Sequence, residues 1–336
     1  MGALPAAFVV AVLLTPLVRI LALRLGVTDK PESRKLHTTP VPYLGGVAVA
    51  VAVVVGTIVG STGFDVELRL VSMGVILGVL GLWDDLRPML WIPKLALEFG
   101  VGIAATAMIV RATDIDAGLP VVLFCVVAVV ALTIMTNSFN LLDNMDGHLT
   151  SVVMASSLPM VWLARSSEMP ASRYALPASL AAACFGFLFF NLSRRAKIFL
   201  GDSGSLMLGF LVTSSALLLL AEASTATFIA CLALLLFIPC VDTATVAYDR
   251  RRNGISIFTP GKDHLSHRLA LALGDRLLAV GVLALIQLAA STLAVVLAES
   301  PPNNSWPLLL LPVLGAALVI RWALGVDPRQ SVAAAA

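Results

Sequence analysis

Asn137-Ser-Phe-Asn140-Leu-Leu-Asp143-Asn144-Met-Asp146-Gly147-His148 interrupts a chain that is apolar on both sides of it. Two carboxylates, three carboxamides and an imidazole stand where one greasy run, Leu119 to Ser138, ends and another, Leu149 to Ala164, begins. Polar groups in such a place cost free energy unless water, a cation or a ligand meets them. The flanking runs decide the fold class, because most approach the roughly 20 residues needed to cross a hydrocarbon core. Composition agrees: of 336 residues, 59% are apolar and only 12% charged, against roughly 25% charged in soluble domains. The chain reads as an all-α, polytopic integral membrane protein, one transmembrane domain over residues 1–336. A net charge of +2 makes no electrostatic case for nucleic acid.

Hydropathy outlines eleven spans: Ala3 to Leu25, Leu44 to Gly60, Leu70 to Trp83, Leu90 to Val110, Leu119 to Ser138, Leu149 to Ala164, Tyr174 to Leu192, Ser205 to Ala221, Thr225 to Ala247, Leu277 to Leu297 and Trp306 to Leu324. Ten is the alternative, if the third or the last is not a full crossing. The first lacks a basic n-region and a cleavage site, so it is read as a retained span. With eleven spans, loops after odd spans share one side. Of the 22 Lys and Arg residues, only Arg69, Arg111, Arg165 and Arg173 fall on the other side. By the positive-inside rule the odd loops are cytoplasmic, the N-terminus outside and the C-terminus inside. Cys125, Cys184, Cys231 and Cys240 lie in or at the end of apolar runs and read as packing residues. The alanine-rich end, about 325–336, is expected to be a flexible tail.

The same parity gathers the polar motifs on the cytoplasmic side. In the first loop Pro31, Pro40 and Pro42 enforce extended chain. There Arg34, Lys35 and His37 attract phosphate, with Gly45 and Gly46 permitting close approach, or they serve only as a basic topology signal. The second loop opens with Asp84-Asp85, a carboxylate pair that asks for a divalent cation or nearby basic groups; a solvated turn is the plain alternative. Lys94 and Glu98, four apart, fit an ion pair along one helix. In the third, helical spacing sets Asn140, Asp143 and Asp146 on one face as a cation and phosphate shelf. The fourth, Asn191 through Lys197 to Gly201-Asp202-Ser203-Gly204-Ser205, leads into an apolar helix. Asp202 or Ser203 either caps that helix or joins an anion and metal site at its start. The fifth holds Arg250-Arg251-Arg252 and Asp263-His264-Leu-Ser266-His267-Arg268. One helical turn presents both histidines, which favours diphosphate recognition over zinc, since no third ligand is close. Asp242 is a carboxylate inside the ninth span, a functional candidate or a helix-packing device.

Together these motifs resemble the polyprenyl-phosphate N-acetylhexosamine-1-phosphate transferase family (glycosyltransferase family 4 type). Asp84-Asp85 looks like its paired aspartates, Asn137 to Gly147 like its Asn-rich Asp-Gly motif, Lys197 to Ser205 like its Gly-Asp-Ser-Gly-Ser motif, and Asp263 to Leu269 like its histidine motif. Each motif is weak alone; four in order on one membrane face is a strong signal. The family commonly has Asp-Gly-x-Asp-Gly-Leu, where this chain has Asn144 and His148 at the second and sixth positions; Ser266 stands where a histidine is frequent. The tri-histidine segment of the phospho-MurNAc-pentapeptide transferase branch is absent, so the chain is similar to the branch using UDP-GlcNAc.

The resemblance implies transfer of N-acetylhexosamine-1-phosphate from a UDP-sugar to a polyprenyl phosphate such as undecaprenyl phosphate, releasing UMP and starting surface polysaccharide synthesis. It implies Mg²⁺ (Mn²⁺ as substitute) on Asp202 and Asp143, with Asp84, Asp85, Asp143 and Asp146 as the catalytic carboxylates. Lys35, His37, Asn140, Asn191, Lys197, His264, His267 and Arg268 are then substrate contacts. A homodimer is compatible with the sequence and not required by it. The competing readings are peptidoglycan phospho-MurNAc-pentapeptide transfer and ion-coupled transport; the latter calls for polar groups at mid-membrane and symmetric halves.

Overall fold

The computed structural model describes residues 2–29, 41–61, 63, 65–115, 121–192, 196–257, 259, 261–300 and 310–326. Arg34, Lys35, His37 and the tail from residue 327 lie outside the described residues. Among the described residues each expected apolar span is helical, with most ends within about a turn of those read from hydropathy; positions 119–120 and 306–309 lie outside them. In chain order the helices are α1 (Ala3–Leu25), α2 (Gly45–Gly60), α3 (Val66–Leu86), α4 (Trp91–Ala112), α5 (Val121–Leu142), α6 (His148–Ser166), α7 (Ala171–Asn191), α8 (Asp202–Leu220), α9 (Thr225–Leu235), α10 (Phe237–Arg252), α11 (Leu265–Leu273), α12 (Arg276–Glu299) and α13 (Leu310–Leu324). The only sheet among the described residues is a two-residue antiparallel pair, β1 (Thr28–Asp29) with β2 (Val41–Pro42), at the ends of the first loop.

Helix α8 is the axle. Every residue from Ser203 to Leu220 is buried, as expected for a helix apolar all round. It packs on α3 and α5, with α2, α6 and α7 also against it. Outer helices behave differently: α1, α3, α4, α5 and α12 bury one side and leave large apolar residues such as Leu13, Leu17, Val79, Val126 and Leu285 exposed. A continuous apolar exterior suits hydrocarbon rather than water. Among the described residues seven helices are long and apolar enough to cross a membrane, or eight if α9 and α10 form one bent span; α2 and α13 are shorter. The protein is therefore a multi-pass membrane protein.

The ninth span differs from the expected single rod. It breaks at Leu236, and α10 turns by 75° from α9. Gln287 of α12 meets the break: its side chain donates to the Leu234 and Leu235 carbonyls and accepts from the Ile238 N–H. A buried carboxamide thus satisfies the backbone groups that a bend in an apolar layer would leave unpaired. The bend turns Asp242 away from a mid-helix position toward the loop that carries His264.

Contact distances at the start of α8 are short because glycine faces glycine. A Cβ on Gly46 would run into the Gly204 backbone, and one on Gly204 would stand 2.9 Å from Gly46 Cα. The Gly45 and Gly46 N–H groups donate to the Phe199 and Leu200 carbonyls, so the start of α2 is satisfied by the chain leading into α8. The close approach read for these glycines is thus made by backbone.

Candidate functional site

Four helix ends converge around Asp202, the first residue of α8. Gly201 precedes it with φ +76°, a left-handed conformation that turns the chain into the helix. Neither Asp202 nor Ser203 caps α8, contrary to one of the two expectations. The cap comes from α3 instead: the Asp85 carboxylate accepts from the N–H groups of Asp202 at 3.1 Å and Ser203 at 3.3 Å. The Asp85 carboxyl occupies the amide-rich helix start that attracts anions generally. Tyr43 donates to the Asp85 carbonyl, binding the first loop to the same place.

Lys94, in the first turn of α4, bridges two acids. Its Nζ lies 2.7 Å from Asp84 Oδ2 and 2.8 Å from Asp202 Oδ2. Asp84 Oδ1 also accepts from the Met89 N–H at 2.7 Å. The expected Lys94–Glu98 helix pair is not the arrangement found, because these acids, from two other elements, reach the ammonium first. Glu98 accepts instead from Asn137 Nδ2 on α5. From the end of α5, Asn140 Nδ2 donates to Asp202 Oδ1 at 2.8 Å and to Ser205 Oγ at 2.9 Å. Asp202 is thus held from both sides and remains one-third exposed.

Helix α5 ends at Leu142, so Asp143 and Asp146 sit in the turn that follows, both half-buried. Burial, and then the carboxylates of Asp202, Asp146 and Asp85, push Asp143 up to about 8, against the Gly201 N–H that favours its anion. Crowded acids of this kind create demand for a cation. Among the described residues no three acidic, histidine or cysteine side chains enclose an ion. The donor set fits a different style of binding, in which one or two carboxylates hold Mg²⁺ and substrate phosphates complete the shell.

The fifth-loop residues form a second cluster. Asp242 on α10 accepts from His264 Nδ1 at 2.7 Å and from the Leu265 N–H at 2.6 Å, which fixes the start of α11. Arg250 forks onto Asp263, holding that carboxyl below its ordinary range although burial opposes this. His267 lies half-buried with its ring centre 6.3 Å from that of His264. Burial first, then repulsion from His264, lowers His267 to about 4, leaving it neutral at pH 7. The two clusters meet at the turn after α5, where Ser266 Oγ donates to Asn144 Oδ1 at 2.6 Å.

Not every expected contact residue faces open space. Asn191 is buried; its carboxamide accepts from the Gly147 N–H and donates to the Ile198 carbonyl, fastening the third loop to the fourth. Lys197 is exposed, its carbonyl taken by Arg19. Arg268 is 1% exposed. It donates to the carbonyls of Asp263, Ala323 and Val326 and to the Asp249 carboxylate, so it ties α11 to α10 and α13. Replacing Arg268 with alanine strands these groups in the interior. The expected result is about 3 kcal/mol lost from the fold, measured as a lower unfolding midpoint in detergent. Lys94 and Ser205 were not singled out as site residues from sequence. Lys94 left only one faint signal, a lone cation at the start of an apolar span.

Comparison with known proteins gives the following. Residues 68–220 match the family model described as Glycosyl transferase family 4. A probable undecaprenyl-phosphate N-acetylglucosaminyl 1-phosphate transferase of Bacillus subtilis is 32% identical over 314 residues, covering 87% of this chain and 84% of that protein. A decaprenyl-phosphate N-acetylglucosaminephosphotransferase of Mycobacterium tuberculosis is 30% identical, covering 75% and 71%. An undecaprenyl-phosphate alpha-N-acetylglucosaminyl 1-phosphate transferase of Thermotoga maritima is 32% identical, with 62% of each covered.

Proposed function

The chain belongs to glycosyl transferase family 4, and from that premise we propose that it transfers GlcNAc-1-phosphate from UDP-GlcNAc to a polyprenyl phosphate, releasing UMP. The observation that carries the reading is the setting of Asp202 at the start of α8, between Lys94 and Asn140 and beside Asp143. Acid, ammonium and carboxamide from four elements at one point can align and neutralise a diphosphate, which is most of what phosphoryl transfer requires.

The acceptor needs no strong base, because a phosphate monoester with a second pKa near 6 is already largely dianionic at neutral pH. Its oxygen attacks the β-phosphorus of the donor, and UMP leaves. Lys94 offsets charge that collects on the transferring phosphoryl group. Asp84 and Asp85 act through what they hold: Asp84 steadies Lys94, and Asp85 steadies the start of α8. Asp202 and Asp143 are the residues that would hold Mg²⁺, which would supply Lewis-acid stabilisation of the leaving nucleotide. Asp146 adds to the negative potential at Asp143. His264, oriented by Asp242, and neutral His267 offer imidazole hydrogen bonds to the donor, with Lys197 at the mouth. The site faces the cytoplasm on this reading, where nucleotide sugars meet a lipid arriving sideways between helices.

The decisive assay is UMP release by purified protein given polyprenyl phosphate, Mg²⁺ and a panel of UDP-sugars. UDP-GlcNAc is expected to be the preferred donor. Silence with every sugar, and an Asp202→Asn variant indistinguishable from wild type, would sink the proposal. Asp143 provides a pH signature. Its carboxyl carries a proton below about 8, and a cation must displace that proton. Mg²⁺ binding is expected to weaken by up to about tenfold per unit as pH falls below 8 and to level off above it. Titrating Mg²⁺ at several pH values checks this, and Asp143→Asn should flatten the slope.

A further inference from the structure

One helical turn from the meeting of Lys94, Asp202 and Asn140, α4 and α5 make a second polar contact. Glu98 follows Lys94 by four residues on α4, and Asn137 precedes Asn140 by three on α5, so each pair shares a helix face. Glu98 is 2% exposed. Its Oε2 accepts from Asn137 Nδ2, which also donates to the Thr133 carbonyl at 3.0 Å. Its Oε1 is buried and, among the described residues, has no hydrogen-bond partner. A carboxyl oxygen left open inside an apolar layer costs free energy, and so asks for a donor.

The donor stands on the same helix. Lys94 carries three N–H groups and uses two, on Asp84 Oδ2 at 2.7 Å and Asp202 Oδ2 at 2.8 Å. It lies four residues from Glu98, the spacing at which lysine and glutamate meet along a helix. Asp84 is the anchored end of the present arrangement, since its Oδ1 accepts from the Met89 N–H at 2.7 Å. Asp202 is the open end, one-third exposed. A divalent cation and an ammonium on one Asp202 oxygen repel each other. An ammonium displaced from Asp202 has Asp84 to pivot on and Glu98 Oε1 to turn to.

We propose that Lys94 has two acceptor sets, Asp84 with Asp202 and Asp84 with Glu98, and that Glu98 is the positioning residue that draws the ammonium off Asp202 when a divalent cation takes that carboxylate. The proposal rests on the reading of Asp202 as a cation ligand. Because Asp84 is kept in both arrangements, the ammonium stays beside the site while Asp202 is freed. The Lys94–Glu98 pair that spacing along α4 suggests is then the second position of Lys94, not a contact forgone.

The test titrates Mg²⁺ alone into the purified full-length protein at fixed pH and reads the rise in unfolding midpoint, which reports affinity without turnover. In Glu98→Gln the single amide oxygen is taken by Asn137 and an N–H stands where Oε1 was, so the second acceptor is gone. Mg²⁺ affinity is expected to fall about tenfold, the loss that fits one hydrogen bond to a charged group. In a Lys94→Gln background there is no ammonium to displace, and the same change at Glu98 should alter affinity by less than about twofold. Asn137→Leu removes the other donor to Glu98 and so raises its demand for Lys94; it should tighten Mg²⁺ binding by about threefold. Tighter binding is a result that poor folding does not produce. Equal losses from Glu98→Gln in both backgrounds would mark a through-space charge effect and overturn the proposal, as would no loss in either, or weaker binding in a folded Asn137→Leu protein. Mg²⁺ binding by the wild type leaves the reading of Asp202 standing in each of those cases. A wild type whose midpoint does not respond to Mg²⁺ overturns that reading and this inference with it.

Discussion

Exchange of Asp202 for asparagine is expected to lower UMP release by about 10³-fold while leaving the unfolding midpoint close to that of the native chain. The shape of the side chain is kept, so Asn140, Ser205 and the Asp85 cap on α8 retain their geometry. The charge goes, and with it the second acceptor oxygen, the one that meets Lys94. That charge is what Lys94 meets at 2.8 Å and what a cation would require. Fold stability is insulated for two reasons. The carboxylate is one-third exposed, which screens its ion pair with Lys94. Its removal also relieves repulsion on Asp143, which Asp202 helps to hold up at about 8. The outcome against the argument is an Asp202→Asn protein that works normally, or one that is inactive because it no longer folds.

Lys94→Gln is the second large effect. The ammonium is only 14% exposed and joins Asp84 to Asp202. Without it, two carboxylates face each other with no intervening cation, and the site loses the ammonium proposed to offset charge on the transferring phosphoryl group. A fall of about 10²-fold in kcat is expected from the lost charge stabilisation, with about 2 kcal/mol of stability lost from the broken buried pair. Lys94→Arg is the informative companion. A planar guanidinium restores the charge and cannot reproduce a compact donor placed between two acids, so stability should return further than activity. Steady-state kinetics with unfolding midpoints on the two variants separates these contributions. A Lys94→Gln protein with native kcat would assign the residue to packing alone.

Much of the fold was legible before any coordinates. Apolar runs near the length of a bilayer core specified helices, because a backbone in hydrocarbon must satisfy its own hydrogen bonds. Helix ends followed from the prolines, glycines and charges that interrupt those runs. The break at Leu236 was missed. Its one local signal is Pro239, which lacks an N–H and suits the first turn of a new helix better than the middle of a long one. What stabilises it is Gln287, some fifty residues later, whose carboxamide satisfies the opened backbone.

The candidate site shows the same division. Asp84, Asp85, Asn140, Asp143, Asp202 and His264 stood out because polar side chains at membrane edges need partners. Which partner each takes is a different kind of fact. Asp85 caps a helix 117 residues away, Lys94 leaves its helical neighbour Glu98 for Asp84 and Asp202, and Arg268 turns inward to hold α13. Periodicity and residue type act over a few residues and determine which groups must be paired. Pairing across 60 to 120 residues depends on which helix ends the packing brings together. The sequence by itself therefore determined the helices, the membrane setting and the roster of polar groups at their ends. Packing settled that Asp202 lies between Lys94 and Asn140 and that Ser266 reaches Asn144, because those meetings join helix ends and turns far apart in the chain.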